Sequence, residues 1–285
     1  MRRLIVVTGL SGAGKTVVLN ALKDLDYYCI DNLPIGLLIE FCQHTWEQDH
    51  AHYQQVAAGI DARNPPAILA SAPGVLRRLN SDRLTSEIIF IDATEETLIR
   101  RFSETRRKHP LSSERVSLAE AIKQERQLLG PLGEQADLRI DTSRTSVNQL
   151  WNYVKERVVQ RSKAMLSLQL ISFGFKQGVP RDADFVFDVR CLPNPHWETQ
   201  LRDCSGRDPK VITFLEQASL VGEMVRTISA FLDGWIPRFE AENRSYLTIG
   251  IGCTGGYHRS VYIVEQLAAH FSDQGKAVLI SHRDM

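Results

Sequence analysis

An eight-residue stretch near the N-terminus, GLSGAGKT at residues 9–16, constrains the fold of this chain more than any other feature. It fits GxxxxGK[ST] at every required position, a pattern whose glycines let backbone N–H groups surround a phosphate. The apolar run LIVV (4–7) before it predicts a buried strand, and TVVLNALKDL (16–25) after it has helical spacing. A phosphate loop at a first strand–helix turn predicts a doubly wound, mostly parallel α/β sheet.

The residue types in this loop indicate the chemistry that it would support. Lys15 is placed to reach the β- and γ-phosphates of a nucleotide, and the Thr16 hydroxyl is placed to hold its Mg²⁺. The positive end of the following helix dipole adds to the attraction for anions. We therefore predict a site for a nucleotide with Mg²⁺, formed by Gly9, Leu10, Ser11, Gly12, Ala13, Gly14, Lys15 and Thr16.

Other charged residues of the N-terminal half are candidates for the same site. Asp92 ends the apolar strand EIIFIDA, where a second metal-shell carboxylate is expected, and with Lys15 it is a candidate catalytic residue. Capping of the next helix by Asp92 is the alternative. Asp31, in YYCIDNLP, is a rival acidic residue whose alternative role is to cap a turn. A basic cluster is either a lid over the γ-phosphate or a solvated helix face; it comprises Arg100, Arg101, Arg106, Arg107 and Lys108.

The rest of the N-terminal half alternates between strand and helix patterns. Helical patterns such as TEETLIRRFSETRR and SLAEAIKQERQLLG separate apolar runs that are rich in β-branched residues. A long amphipathic helix is predicted at 146–161. Strands are predicted at 27–31, 55–63, 87–93 and 137–143.

After that helix the pattern changes to apolar strands joined by Gly/Pro turns. A helical stretch is predicted around 211–233, a strand at 246–252, and a last helix after it. We therefore predict two α/β domains, a phosphate-loop domain at 1–155 and a second domain at 163–285.

A second loop between a strand and a helix lies at residues 253–260, CTGGYHRS. Cys253 and Arg259 have the Cys-x5-Arg spacing of cysteine-dependent phosphatases, and the glycines favour an anion nest clamped by Arg259. A thiolate in such a nest has a lowered pKa. Three interpretations remain open: a phosphatase with Cys253 as nucleophile, a non-catalytic phosphate or sugar-phosphate site, and a structural turn.

Neighbouring segments supply partners for these interpretations. Gly252 stands where phosphatase loops commonly carry histidine, and the general acid that a phosphatase needs would be Asp182, Asp184, Asp203 or Asp208. The segment DVRCLPNPHW, with Trp197 at its end, either completes an anion pocket or is a rigid proline-rich loop. The candidate anion-binding residues are Arg190, His196, Cys253, Thr254, Gly255, Gly256, His258, Arg259 and Ser260.

Composition limits the classes of function. The 34 Lys and Arg residues balance 34 Asp and Glu residues, so nucleic-acid binding would need a local basic patch. The five cysteines are dispersed without a CxxC pair, which argues against a disulfide framework or a zinc site and favours a reducing cytosol. No apolar run is long enough to span a bilayer, so we expect a cytoplasmic protein with no membrane partner.

Several longer strings together resemble the RapZ/YvcJ family of bacterial P-loop nucleotide-binding proteins. In the N-terminal half these strings are GLSGAGKT, YYCIDNLP, GIDARN and RRFSETRRKHPL. In the C-terminal half they are SFGFKQGVPRDADFVFDVRCLPNPHW and NRSYLTIGIGCTGGYHRSVYIVEQLA, which are more specific than the phosphate loop alone. The similarity extends over essentially the whole chain.

The resemblance implies functions that the residue patterns do not indicate. It implies binding of ATP and GTP with weak hydrolysis, with ATP at residues 9–16 and the guanine nucleotide at Asp61, Ala62, Arg63 and Asn64. It implies that the loop at 253–260 senses a sugar phosphate, glucosamine-6-phosphate. The enterobacterial members are RNase adapters that present a small regulatory RNA to an endoribonuclease and so control amino-sugar synthesis. An RNA and an endoribonuclease are therefore expected partners.

One departure from those members concerns the C-terminal segment. They end in a Lys/Arg-rich tail, whereas GKAVLISHRDM contains only Lys276 and Arg283 as firm positive charges, with His282 as a third candidate RNA contact. Because Lys and Arg contacts to phosphates supply most sequence-independent RNA affinity, RNA binding here would draw on the pooled surface of a homo-oligomer. A P-loop small-molecule kinase with an acceptor near Asp31 is a further alternative.

Overall fold

The computed structural model describes residues 2–47, 54–79, 84–159, 166–242 and 244–285. The chain divides into two units, Met1–Gln160 and Arg161–Met285. Part of the interval that separates the predicted domains 1–155 and 163–285 falls on residues 160–165, which lie outside the described ranges.

A five-stranded sheet, in which every strand pair is parallel, forms the centre of the first unit. Strand β1 is central and is buried from Leu4 onwards, which explains its continuous apolar run. In the order β2-β3-β1-β4-β5, the strands are β1 (Arg2–Gly9), β2 (Tyr28–Ile30), β3 (Gln55–Gly59), β4 (Leu84–Asp92) and β5 (Leu138–Asp141). The predicted α/β class with a mostly parallel sheet is confirmed.

Helices connect these strands, and several of them begin with a side-chain cap. They are α1 (Lys15–Lys23), α2 (Ile35–Glu47), α3 (Pro66–Leu79), α4 (Glu95–Thr105), α5 (Leu118–Glu134) and α6 (Val147–Tyr153). Thr94 caps α4, and Ser117 and Ser146 form capping boxes at the starts of α5 and α6. Helix α1, which follows the phosphate loop, starts without a side-chain cap among the described residues.

In the first unit, the structure differs from the sequence expectation at three helical segments. The helix predicted at 146–161 is divided into α6 and a π-helix at Val154–Val159, and residues 160–161 lie outside the described ranges. Helices α2 and α3 had no predicted counterpart. Pro73 and Gly74 interrupt the α3 sequence with the two poorest helix formers, so that its pattern is not typical of a helix.

A second parallel sheet, of four strands, forms the centre of the second unit. In the order β7-β8-β6-β9, its strands are β6 (Ser167–Gly174), β7 (Phe185–Asp188), β8 (Tyr246–Cys253) and β9 (Val278–His282). Strands β6 and β8 are buried along their whole lengths. Strand β9 was not predicted, because VLISH is short and depends on its pairing with β6.

The helices of the second unit pack on this sheet around one apolar core. They are α7 (Pro209–Glu216), α8 (Ser219–Ala241) and α9 (Arg259–Asp273), with short 3₁₀ turns at Phe175–Gln177 and Pro195–Trp197. The stretch predicted around 211–233 is thus two helices rather than one. Within the described ranges, none of the helices of either unit has the length and apolar character needed to cross a bilayer.

Parallel strands present their carboxyl ends at one edge of a sheet, and loops at that edge form the usual binding crevice of such folds. The loop at 9–16 follows β1 between the ends of β3 and β4. The loop at 253–260 follows β8 between the ends of β6 and β7. Each unit therefore carries its glycine loop where its own sheet favours a ligand.

Candidate functional site

The phosphate loop of the first unit is fixed tightly against strand β4. Gly9 has φ +132°, and a Cβ on it would lie 2.0 Å from the carbonyl oxygen of Ile91. The N–H of Leu10 donates to the same carbonyl at 3.1 Å. Only glycine fits this position, which explains the first required residue of the motif.

Lys15 lies over the loop with its Nζ donating to the Gly9 carbonyl oxygen at 2.6 Å. Burial lowers the pKa of Lys15. The negative charges of Glu125, Asp61 and Asp31 raise it, but by less. Because Lys15 and Thr16 open α1, their N–H groups have no carbonyl within that helix to which they can donate. A partly buried lysine and an exposed threonine therefore lie side by side at the start of a helix.

Asp92 ends β4, as predicted, but its carboxylate is held by an arginine. Both Asp92 oxygens accept from Nη1 of Arg126 at 3.0 Å, and Nη2 of Arg126 donates to the Ala93 carbonyl. The capping alternative for Asp92 is wrong, because Thr94 caps α4. The carboxylates whose negative charges favour the charged form of Lys15 are instead those of Glu125, Asp61 and Asp31.

The segment Asp61–Asn64 forms a compact turn just after β3. The Asp61 carboxylate accepts from the Arg63 N–H at 3.0 Å and from Nε of Arg63 at 2.8 Å. Asn64 accepts from the N–H of Ile35 and so holds the start of α2. Burial by itself raises the pKa of Asp61, but the hydrogen bonds from Arg63 and the charge of Lys15 bring it below its usual value.

Residues far along the chain hold the phosphate loop from behind. Nη1 of Arg101, on α4, donates to the Gly12 carbonyl at 3.1 Å and to Thr142 Oγ1 at 3.0 Å. Thr142 Oγ1 donates in turn to the Ala13 carbonyl at 2.6 Å. Arg101 is the member of the basic cluster that contacts the loop, whereas Arg100 forms an exposed pair with Glu104.

A buried carboxylate from α5 completes this support. Glu125 accepts from the Ser11 N–H at 2.8 Å, from Ser11 Oγ at 2.7 Å and from the ring of His109 at 3.0 Å. The side chains of Glu125 and His109 are both fully buried. Sequence reasoning missed this pair, although a glutamate on the buried stripe of α5, between Ile122 and Leu129, was a signal.

The loop of the second unit is organised around the Cys253 thiol. The Gly256 N–H donates to Sγ at 3.2 Å, and Ser260 Oγ lies 3.2 Å from it. Burial by itself raises the pKa of Cys253, but hydrogen bonds from Ser260 and Gly256 and the charge of Arg259 lower it below its usual value. Gly256 has φ +81°, and a Cβ on it would lie 2.6 Å from the Gly174 nitrogen.

Arg259 is buried and ties this loop to the neighbouring segment. Its Nη1 donates to the carbonyls of Arg190 at 2.8 Å and Leu192 at 2.9 Å, and its Nη2 donates to Thr254 Oγ1 at 3.1 Å. Its Nε is buried without a hydrogen-bond partner among the described residues. A buried donor without an acceptor is costly, and an oxyanion would satisfy it.

The other predicted anion contacts lie near this loop with defined partners. Arg190 pairs with Asp188, and its guanidinium lies 4.2 Å from the centre of the Phe175 ring. The rings of His196 and His258 are 6.3 Å apart. Nε2 of His258 lies 3.1 Å from the Leu201 carbonyl oxygen, and burial lowers the pKa of His258.

Two of the proposed general acids are engaged elsewhere. Asp184 accepts from Arg244 and from the Thr248 N–H, and Asp208 accepts from the Ser205 N–H and hydroxyl. These contacts occupy two of the four carboxylates proposed as the general acid of a phosphatase, and Asp182 and Asp203 are the other two.

Comparison with known proteins covers both units. Residues 2–162 match the family model described as RapZ-like N-terminal domain, and residues 166–285 match the one described as RapZ C-terminal domain. The chain belongs to the RapZ family. Proteins named nucleotide-binding protein are 52% identical in Nitrosococcus oceani, over 99% of both chains, and 50% identical in Methylococcus capsulatus, over 99% of this chain and 96% of that one. A shikimate kinase structure from Bacteroides thetaiotaomicron has a TM-score of 0.37 and 16% identity, covering 54% of this chain and 96% of that chain.

The predicted RNA contacts of this RapZ-family chain lie in or beside β9 and face carboxylates. Lys276 Nζ pairs with Glu240 at 3.1 Å, and Arg283 pairs with Asp284 at 2.9 Å. His282 lies 3.0 Å from Glu265 and 2.9 Å from the Ser172 hydroxyl. The positive charges of this segment are therefore partly compensated within the second unit.

Proposed function

We propose that this chain is a regulatory protein that binds ATP or GTP with Mg²⁺ at residues 9–16 and an anionic metabolite at residues 253–260. The observation that carries the nucleotide half is the position of Lys15. It lies over a glycine loop at an uncapped helix start, and its Nζ contacts only a backbone carbonyl within the described ranges. The relatives named nucleotide-binding protein support the same conclusion.

The residues at the loop fit a metal that arrives with the nucleotide. Thr16 would contribute its exposed hydroxyl, and the phosphates would supply the other oxygens, as is usual for Mg²⁺. When bound, Mg²⁺ would neutralise charge on the β- and γ-phosphates. We place Asp61 and Asp31 near the metal, because theirs are among the negative charges that act on Lys15. The guanine-nucleotide role of Asp61–Asn64 belongs to the same proposal.

Slow hydrolysis is part of the proposal. Asp61 is bonded to Arg63, Asp92 to Arg126, and Glu125 to Ser11, so each of these carboxylates is already engaged. A hydrolase needs a group that positions the attacking water. Because three carboxylates of the site are engaged in this way, we infer that nucleotide turnover is slow.

The test compares fluorescently labelled ATP and GTP on the wild type, Lys15→Ala and Lys23→Ala. Lys23 lies on the same helix and is exposed, so it is a matched control. We expect Lys15→Ala to weaken binding by about 100-fold, because a charge-assisted contact to phosphate is lost, and Lys23→Ala to bind as the wild type does. Equal affinity of Lys15→Ala and wild type would reject the nucleotide site.

For the second loop we propose a sensor of a sugar phosphate such as glucosamine-6-phosphate. The unpartnered Nε of Arg259, the start of α9 and the N–H groups of the glycine loop support an oxyanion there. Isothermal titration with glucosamine-6-phosphate and with inorganic phosphate should give heat with the wild type and with exposed Arg226→Ala, but not with Arg259→Ala. No heat from wild type at millimolar sugar phosphate would reject the sensor.

The adapter role would connect this sensor to a small RNA and an endoribonuclease, with the chain acting as a homo-oligomer. Support comes from the family membership, and the compensated charges of Lys276 and Arg283 weigh against strong binding by one copy. RNA retention on the protein should fall steeply with added salt if phosphate contacts dominate. Absence of retention at low salt would remove the RNA from the proposal.

A cysteine phosphatase is the second candidate for the loop at 253–260, favoured by the lowered pKa of Cys253. The wild type should then release phosphate from an aryl phosphate, and Cys253→Ser should not. Failure of the wild type to release phosphate would reject this candidate and leave the anion sensor intact.

A further inference from the structure

The Glu125 carboxylate has no role in the nucleotide chemistry proposed above, although it contacts the phosphate loop. It is buried in α5 and reaches Ser11 from 114 positions along the chain. It takes three hydrogen bonds, two from Ser11 and one from His109. A buried carboxylate survives in a fold only when such donors compensate its desolvation.

Hydrogen bonds show which ring nitrogen of His109 carries the proton that faces Glu125. The Leu111 N–H donates to Nδ1 of His109 at 3.1 Å, so that nitrogen carries a lone pair. The proton of a neutral His109 is then on Nε2, which donates to Glu125. Burial by itself raises the pKa of Glu125, but the bonds from His109 and Ser11 and the charge of Lys15 lower it below its usual value. The Nε2–H of His109 therefore donates to a Glu125 carboxylate whose negative charge these bonds favour.

Glu125 is not placed to act as a general base. Its side chain is fully buried, and its oxygens already accept from Ser11 and His109. Its contacts bear on the shape of the loop instead. Arg101 and Thr142 hold the carbonyls of Gly12 and Ala13, and Glu125 holds the Ser11 end.

We propose that Glu125 is a positioning residue of the nucleotide site, which fixes the Ser11 end of the phosphate loop and is itself oriented by His109. This inference rests on the proposed nucleotide binding at residues 9–16. A loop held in shape before the nucleotide arrives loses less conformational freedom on binding, which raises affinity. The negative charge of Glu125 has the opposite effect on a phosphate, so position and charge must be separated by the test.

Glu125→Asp separates them, because it keeps the charge and shortens the side chain so that it cannot reach both Ser11 and His109. We expect this variant to bind labelled ATP about 10- to 100-fold more weakly than wild type. Glu134→Asp makes the same change at an exposed position of α5 and should bind within about twofold of wild type. Wild-type affinity of folded Glu125→Asp would overturn the proposal. If Glu125→Gln also bound ATP more tightly than wild type, only the charge of Glu125, and not its position, would affect nucleotide binding.

A second pair of variants decides the question if Glu125→Asp does not fold. His109→Gln keeps an N–H that can donate to Glu125, whereas His109→Leu fills the space beside Phe102 and donates nothing. We expect the leucine variant to bind ATP about fivefold or more weakly than the glutamine variant. Equal affinities of the two variants would overturn the positioning role.

These results distinguish the inference from the proposed function. If neither wild type nor Lys15→Ala binds labelled ATP, nucleotide binding fails. If wild type binds, Lys15→Ala does not, and both Glu125→Asp and His109→Leu bind as wild type does, only the positioning role of Glu125 fails.

Discussion

The two glycine loops have the same surroundings but different supports. Each follows a buried parallel strand and precedes a helix, β1 and α1 for residues 9–16, and β8 and α9 for residues 253–260. The first loop is held by Arg101, Glu125 and Thr142, which come from distant parts of the first unit. The second is held by bonds of its own Gly256 and Ser260 to Cys253. It is also held by backbone carbonyls of a distant segment, those of Arg190, Leu192 and Leu201, which contact Arg259 and His258.

The two loops also differ in the charged groups that they would offer to an anion. The first loop uses a lysine whose charge is balanced by carboxylates, and distant side chains fix its shape. The second uses a thiol and a buried arginine, whose Nε has no partner within the described part of the chain. The proposed nucleotide with Mg²⁺ would use the first arrangement, and the proposed smaller anion would satisfy the guanidinium of the second.

The largest expected effect comes from Gly9→Ala, compared with Gly255→Ala in the other loop. A Cβ at Gly9 would meet the Ile91 carbonyl at 2.0 Å and would require φ +132°, whereas nothing lies within 4 Å of a Cβ at Gly255. We expect Gly9→Ala to lower the free energy of opening of the first unit by about 3 kcal/mol. Hydrogen exchange of the β1 and β4 amides measures this change.

Gly255→Ala is the control for adding a methyl group to a glycine loop. It should change the protection of β8 amides by less than about 1 kcal/mol. Equal losses in the two units would contradict the claim that the backbone is more tightly constrained at Gly9 than at Gly255.

Much of the fold could be predicted from the sequence because its signals are local. The apolar run before Gly9 and the helix pattern after it predict the first strand, the loop and the parallel sheet. The strand at Val278–His282 was not predicted, because its five residues form a strand only through pairing with β6. Helix α3 escaped because Pro73 and Gly74 obscure its pattern.

The candidate sites likewise contain contacts within one short segment, which could be predicted, and contacts between distant residues, which could not. Cys253, Arg259 and Ser260 lie within one short loop, so their spacing was sufficient to bring them together in a prediction. Glu125 reaches Ser11 across 114 positions, and no local pattern specifies that contact. Arg126 likewise reaches Asp92, and it changes the interpretation of a residue that was correctly placed at the end of a strand.

A smaller effect is expected from Thr94→Ala, which tests the distant support of the first loop. Thr94 Oγ1 accepts from the Thr97 N–H at 3.3 Å and caps the helix that carries Arg101. Loss of the cap should lower the stability of the first unit by about 1 kcal/mol. Ser103→Ala removes a hydroxyl from the exposed face of the same helix and should have almost no effect in hydrogen exchange. A change in β8 protection, or none in β4, would contradict this expectation.

The smallest expected effect is a pH dependence that distinguishes the units. Burial lowers the pKa of His258 below 6.5, assisted by the charges of His196 and Arg259. The unfolded second unit therefore binds more protons than the folded one as the pH falls below 6.5, and stability is lost in that window. In the first unit Glu125 and Asp61 also have lowered pKa values, but from ordinary values of 4.5 and 3.8, so their contribution is lost only at lower pH.

Hydrogen exchange of β8 and β1 at about pH 7 and about pH 5 compares the two windows, after correction for intrinsic exchange rates. We expect β8 to lose protection at the lower pH. A loss in β1 over the same window would come from Lys15, whose pKa burial also lowers, since the ordinary pKa values of Glu125 and Asp61 lie below this window. His258→Gln retains a donor for the Leu201 carbonyl but does not titrate, so the pH dependence of β8 should decrease in that variant. An unchanged pH dependence in His258→Gln would assign the effect to another group. A parallel loss in β1 would show that protonation does not distinguish the two loops, and that their difference lies only in how their side chains support them.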